Sequence, residues 1–265
     1  MKLLLVLFIV FLSVVQAKEN DLYFQAGLIG MNMDYREYDD NSQILDSEKS
    51  DISQMMGIEL GVSYVLNAAD DDFSEFDALF ERIVGESDYV GAYIGSGLGY
   101  GSLHGTTENT IVNLDATYLY GLRIMQNLHL LTGAAFGYRS WERSLSADQV
   151  ETYTWGYITP KVGVQYAKES VKITFVLGYK YGISPQMSAT GIADTFELGS
   201  ANTLDSTFKL NYKLTSKSAV YATYVYENQV IEKSNIVYDS NGNGYLEPDS
   251  TANNQYIKFG FAFKY

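Results

Sequence analysis

Two histidines, His104 and His129, and no cysteine bound the nucleophilic and acid–base chemistry open to this chain of 265 residues. Ser102 stands two residues before His104, and Glu108 four after it. Residues two apart share a face of an extended strand, so Ser102 and His104 would lie side by side, as a nucleophile and its base must. A histidine in a polar surface loop fits the same residues, and a protein that is not an enzyme is expected. His129 adjoins the tight reversal at Gln126-Asn127, at the far end of any strand that begins near His104.

A second constellation suits a cation. Asp239, Asn241 and Asn243 alternate and Gly244 follows, the first half of a calcium loop of the EF-hand type. Oxygen ligands at every second residue wrap an ion, and Glu247 could close the shell. The second half departs from the pattern, because Ser250 stands where a bidentate Glu is required. Weak Ca²⁺ binding is the expectation on this reading, with no other cofactor. On the other reading, Asn241-Gly242 and Asn243-Gly244 supply left-handed turn conformations and no ion is needed. The glycines Gly91, Gly95, Gly97, Gly99 and Gly101 resemble a phosphate loop only in composition, since no Lys-Ser/Thr pair follows them.

The third set is the largest. Glu59, Asp115, Arg123, Arg139, Lys161, Lys180, Lys209, Glu227 and Lys258 each lie on the polar face of a segment that alternates with period two. In Thr110–Met125, for example, Val112, Leu114, Ala116, Tyr118, Tyr120 and Leu122 oppose Asn113, Asp115, Thr117 and Arg123. Comparable alternation marks 22–36, 52–66, 89–101, 128–140, 152–166, 171–183, 203–214, 219–231 and 256–265, which makes about ten strands. Met31, Met33 and Tyr35 blur the first of these, and Pro160 predicts a bulge in the sixth. One stretch breaks the rhythm. Phe73, Phe76, Leu79, Phe80, Ile83 and Val84 are spaced by threes and fours and predict one short amphipathic helix over Phe73–Val84.

The connections alternate in length. Gln126-Asn127, Ala167–Ser170 and Thr215–Ser218 are tight, whereas those after odd-numbered strands are long and mostly acidic; Asn67–Asp88 is the exception. At the start of the chain, Met1-Lys2, the apolar run Leu3–Leu12 and Val15-Gln16-Ala17 form a secretory signal peptide over 1–17, leaving 18–265 as the mature domain. Secretion without cysteine excludes a disulfide scaffold. The net charge of −14 argues against a nucleic-acid partner.

The last strand carries Ile257, Phe259, Phe261, Phe263 and Tyr265 on one face and ends the chain on an aromatic. With the signal peptide and the turn–loop alternation, it makes the chain resemble the small single-chain outer-membrane β-barrel proteins of Gram-negative bacteria, porin-like in build. The resemblance implies an all-β fold: a closed antiparallel transmembrane β-barrel, an up-and-down meander in the outer membrane, with the short helix on the periplasmic side. The aromatic face would meet lipid, with Tyr64, Tyr118, Tyr166, Tyr212 and Tyr265 at the interfaces. The nine charged residues would then meet the lumen, in ion-pair networks or water. Implied partners are outer-membrane lipid, lipopolysaccharide and the assembly machinery that reads the terminal strand, around a monomer. The function expected is non-catalytic, structural or a narrow channel for ions and small solutes. Recognition through the long acidic outer loops is the alternative. An omptin- or deacylase-like enzyme using His104 is the third.

Overall fold

The computed structural model describes residues 21–67, 72–92, 99–191, 195–239 and 241–265, so the expected signal peptide lies outside the described residues. The strands are β1 (Asp21–Tyr38), β2 (Ile44–Asn67), β3 (Phe73–Gly91), β4 (Leu103–Met125), β5 (Leu128–Ser146), β6 (Gln149–Lys168), β7 (Val171–Ala189), β8 (Phe196–Glu197), β9 (Ala201–Lys213), β10 (Ser218–Ile231), β11 (Val237–Tyr238), β12 (Gly244–Tyr245) and β13 (Asp249–Lys264). Each of β1 to β7 pairs antiparallel with the next, β7 pairs with β9, β9 with β10, β10 with β13, and β13 with β1. The ten long strands therefore close on themselves. Closure matters because a backbone group left unpaired in lipid costs several kcal/mol, and only a ring of strands leaves no edge.

Polarity inverts along the barrel axis. On β13 the outward face reads Phe263, Phe261, Phe259, Ile257 and then Gln255, Asn253, Thr251; on β1 it reads Phe24, Ala26, Leu28 and then Asn32, Asp34, Arg36. The apolar part is a lipid-facing belt, and the polar part stands above it in water. Inward faces do the reverse. On β1, Gln25 and Gly27 give way to Ile29, Met31, Met33 and Tyr35, all buried. The lower half is thus polar inside and apolar outside, while the upper half has the opposite arrangement of a soluble barrel. Ile29, Met31, Met33, Tyr35, Met55, Ile83, Ile111, Trp141, Tyr153 and Trp155 form a packed layer that fills the upper interior.

This inversion corrects the expected helix. Phe73–Val84 is extended, and β3 pairs with β2 from Asn67↔Phe73 and with β4 from Phe73↔Gly121. Phe76, Phe80 and Val84 face outward. Phe73 and Ile83 face inward, Phe73 into a small lower cluster with Leu119, Leu131 and Val176, Ile83 into the upper layer. Two superposed period-two sets, one per face, produce spacings of three and four. The strand expected over 89–101 ends at Gly91; residues 93–98 lie outside the described residues, and Gly101 occupies a turn with φ +90°. The long Asn67–Asp88 connection shrinks to the few residues between β2 and β3, which removes the exception to the turn–loop alternation.

Two smaller expectations also change. Pro160 causes no bulge: Ile158↔Tyr181 and Lys161↔Gly178 keep one register across it, and the β6–β7 shift falls between Thr154 and Gly156, near Ser184 at φ 49°. A missing donor leaves a gap in the ladder without forcing an extra residue. Tyr118, Tyr166, Tyr212 and Tyr265 are exposed on the outer face, but Tyr64 is buried.

Candidate functional site

Eight of the nine charges expected in the lumen line the interior, and Arg123 is exposed beside the β4–β5 turn. The eight belong to networks in the lower and middle barrel. Lys258 Nζ sits between Glu59 Oε2, at 3.2 Å, and the Glu81 carboxylate, which also accepts from Asn113 at 3.0 Å. Arg139 donates to Glu227 at 3.0 Å and to Tyr256 Oη at 2.8 Å, and Lys180 completes the shell of Glu227. Asp115 accepts from Tyr157 at 2.8 Å, and Lys209 donates to Gln25 at 3.3 Å. Lys161 reaches Thr117 at 3.4 Å. These residues surround a cavity of about 200 Å³ below the packed layer. Pairing is what makes such charges tolerable, because a buried charge stripped of its partner costs several kcal/mol.

A second network lies above the belt, where β1, β2, β5 and β6 extend beyond the expected segments 22–36, 52–66, 128–140 and 152–166. Arg143 is fully buried at its centre. Its Nε and Nη2 donate to Glu48 Oε1 at 2.9 and 2.7 Å; its Nη1 donates to Glu37 at 2.8 Å, Glu151 at 2.9 Å and Tyr153 Oη at 3.0 Å. The guanidinium lies 4.5 Å from the ring centre of Tyr35 and 5.5 Å from that of Trp141, within cation–π range. Asp46 Oδ2 lies 3.9 Å from Arg143 and accepts from Tyr89 at 3.3 Å, while its buried Oδ1 has no hydrogen-bond partner. Glu247 reaches in from above and accepts from Tyr153 at 2.5 Å. One guanidinium therefore faces five carboxylates. Burial, with Glu37 second, pushes the Asp46 carboxyl up to about 8; burial also raises Glu151, and raises Glu247 well above the usual range.

The candidate cation loop does not converge. Asp239 Oδ1 accepts the backbone N–H of Asn241 at 2.8 Å and of Asn243 at 2.9 Å, and its Oδ2 accepts from the Asn243 side chain and Tyr245 Oη. Glu247 points instead into the Arg143 chamber. The same turn recurs at 39–43, where Asp39 Oδ1 accepts from the N–H of Asn41 and Gln43, with Ser42 left-handed as Gly242 is. Turn chemistry accounts for the alternation at both places. No cluster of three or more His, Cys, Asp or Glu suited to a metal occurs among the described residues.

His104 and Glu108 stand near the start of β4 on its exposed side, and Ser102 Oγ has no hydrogen-bond partner, so no Ser–His pair forms. His129 is buried at the opposite end, edge-on to Phe73 at 5.2 Å between ring centres.

Among solved structures, the fold is similar to that of the outer-membrane protease OmpT of Escherichia coli, with a TM-score of 0.58, 11% identity, and coverage of 94% of this chain and 99% of that one. The outer-membrane protein OprG of Pseudomonas aeruginosa matches at TM-score 0.41 and 11% identity, covering 94% of this chain and 97% of its own. The attachment invasion locus protein Ail of Yersinia pestis matches at TM-score 0.31 and 12% identity, covering 93% and 100%. No protein-family model matches the sequence, and no curated protein does. At such identity the likeness is one of fold. With the lipid-facing belt, that fold makes the chain a small outer-membrane β-barrel.

Proposed function

We propose that the protein is a non-catalytic outer-membrane barrel with a closed interior, a stiff monomeric scaffold rather than a diffusion channel. The packed layer of Met31, Met55, Ile83, Ile111, Trp141 and Trp155 across the upper interior supports this reading. A ten-strand barrel is narrow enough for side chains to fill. In this reading its partners are the lipid and lipopolysaccharide around the belt and the machinery that assembles it. Planar-bilayer recording of the refolded protein at neutral pH tests the proposal: a flat baseline is expected, and steady unitary conductance steps would overturn it.

A second reading, surface recognition, draws on the last outer loop. Ile236, Tyr238, Tyr245 and Leu246 are exposed together on and beside the β11–β12 hairpin, above the belt where no lipid covers them. Deleting 236–246 and measuring adhesion of expressing cells tests it, with loss of adhesion expected.

A further inference from the structure

Two outer loops meet over the Arg143 chamber and form a cap. Residues 196–200 and 232–235 are joined by backbone bonds from Gly199 N–H to Lys233 O, Glu232 N–H to Ser200 O and Asn235 N–H to Glu197 O. Phe196, Leu198 and Val237 pack down into the upper core. On one side the cap is tied to the wall by the pairs Gln186↔Glu197 and Met187↔Phe196. On the other side it enters the chamber through Glu247, whose backbone is fixed to Ser234 by bonds in both directions.

We propose that this cap is a proton-controlled lid, latched shut while Glu247 enters the chamber as a neutral acid and released when Glu247 loses its proton.

Burial and the acids around it favour a neutral Glu247, whose carboxyl accepts from Tyr153. Arg143 donates to Glu37, Glu48, Glu151 and Tyr153, and none of these bonds reaches Glu247. The groups that face it are Tyr35 and Glu37 from β1, Arg143 from β5, and Glu151 and Tyr153 from β6; Asp46 and Glu48 from β2 lie beside Arg143, and Tyr89 from β3 donates to Asp46. Acids outnumber the one base, and burial removes the water that would screen them. Burial, then the charges of Glu37 and Glu151, raises the Glu247 carboxyl well above its usual range. An acid raised in the closed state holds its proton more tightly there than in the open state. The closed cap is therefore fully favoured below the ordinary carboxylate range and loses ground as pH rises, tenfold per pH unit for each proton released. The lid lies above the packed layer, so a conductance result does not bear on it.

Trp141 and Trp155 are the chain's two tryptophans, and both are buried beneath the cap. Acrylamide quenching of the folded protein in detergent, from about pH 6 to about pH 9.5, tests the latch. Quenching of the unaltered protein should rise with pH, whereas Glu247→Gln, which keeps the shape without a titrating proton, should stay protected throughout. Glu247→Ala should be quenched at every pH. A flat profile for the unaltered protein overturns the proposal, and so does a rise that Glu247→Gln shares. Those two profiles decide the matter even where Glu247→Ala does not fold.

Discussion

Tyr221 Oη donates to Glu59 Oε1 at 2.7 Å, although the two residues stand on β10 and β2, with β13 and β1 between them. The tyrosine lies flat across the wall because the register places Gly260 beside it and Gly27 beside Gly260. A Cβ at Gly260 would come within 2.3 Å of Tyr221 Oη and 2.4 Å of Ala26 O. Gly260→Ala should therefore destabilise the barrel by about 1–3 kcal/mol through overpacking. Part of that loss should vanish in a Tyr221→Ala background, because contacting residues are not additive. Urea unfolding of the four variants of this cycle in lipid vesicles measures the coupling.

Removing Arg143 would strand at least three carboxylates that it now satisfies. Arg143→Met should cost about 3–5 kcal/mol, the usual penalty for breaking a buried charge network. The exposed pair Lys233–Asp40 sets the contrast: Lys233→Met should leave the urea midpoint close to that of the unaltered protein. Comparison of the two urea midpoints checks the difference.

Stability should fall with rising pH because of Asp46, whose carboxyl is raised to about 8 by burial and by Glu37. A raised acid binds its proton more tightly when folded. Its contribution is complete below the unfolded value and is lost as pH rises toward 8, with a slope of up to about 1.4 kcal/mol per pH unit. Asp46→Asn should flatten that slope, and unfolding free energies at acidic, neutral and alkaline pH measure it.

Single cysteines placed in turn at residues 78 to 84 of the cysteine-free chain should report strand geometry. Positions 78, 80, 82 and 84 should react with lipid-soluble reagents and 79, 81 and 83 should resist them, since successive side chains point to opposite faces. A repeat of three to four would restore the helix.

Much of the barrel was legible. Alternation on the final strand and in Thr110–Met125 marks the belt because one face there is lipid and the other polar. Legibility fails where that contrast fails. Met31, Met33 and Tyr35 blur the first strand because they enter the upper layer while their outward neighbours turn polar. Phe73–Val84 mimics a helix because Phe73, Leu79 and Ile83 on its inward face interleave with Phe76, Phe80 and Val84 on its outward face, while Glu75, Asp77 and Glu81 break the inward alternation. The charge chamber went unread for a related reason: the segment 128–140 stops short of Arg143, although Arg139, Trp141 and Arg143 continue its inward face. A strand that outgrows the membrane and becomes apolar inside was the available signal. The carboxylates around Arg143 come from β1, β2 and β6 and the last loop, and no sequence spacing reveals that they meet.

The β1–β13 pairing has a consequence in time. Its sixteen residue pairs join the first strand made to the last. Until Tyr23 finds Lys264 the nascent sheet has two open edges, each able to recruit another chain. Closure of so long a loop is slow to reward its entropy, so sealing follows the neighbouring hairpins. In the interval between hairpins and seal, those two edges are where the chain is open to mispairing.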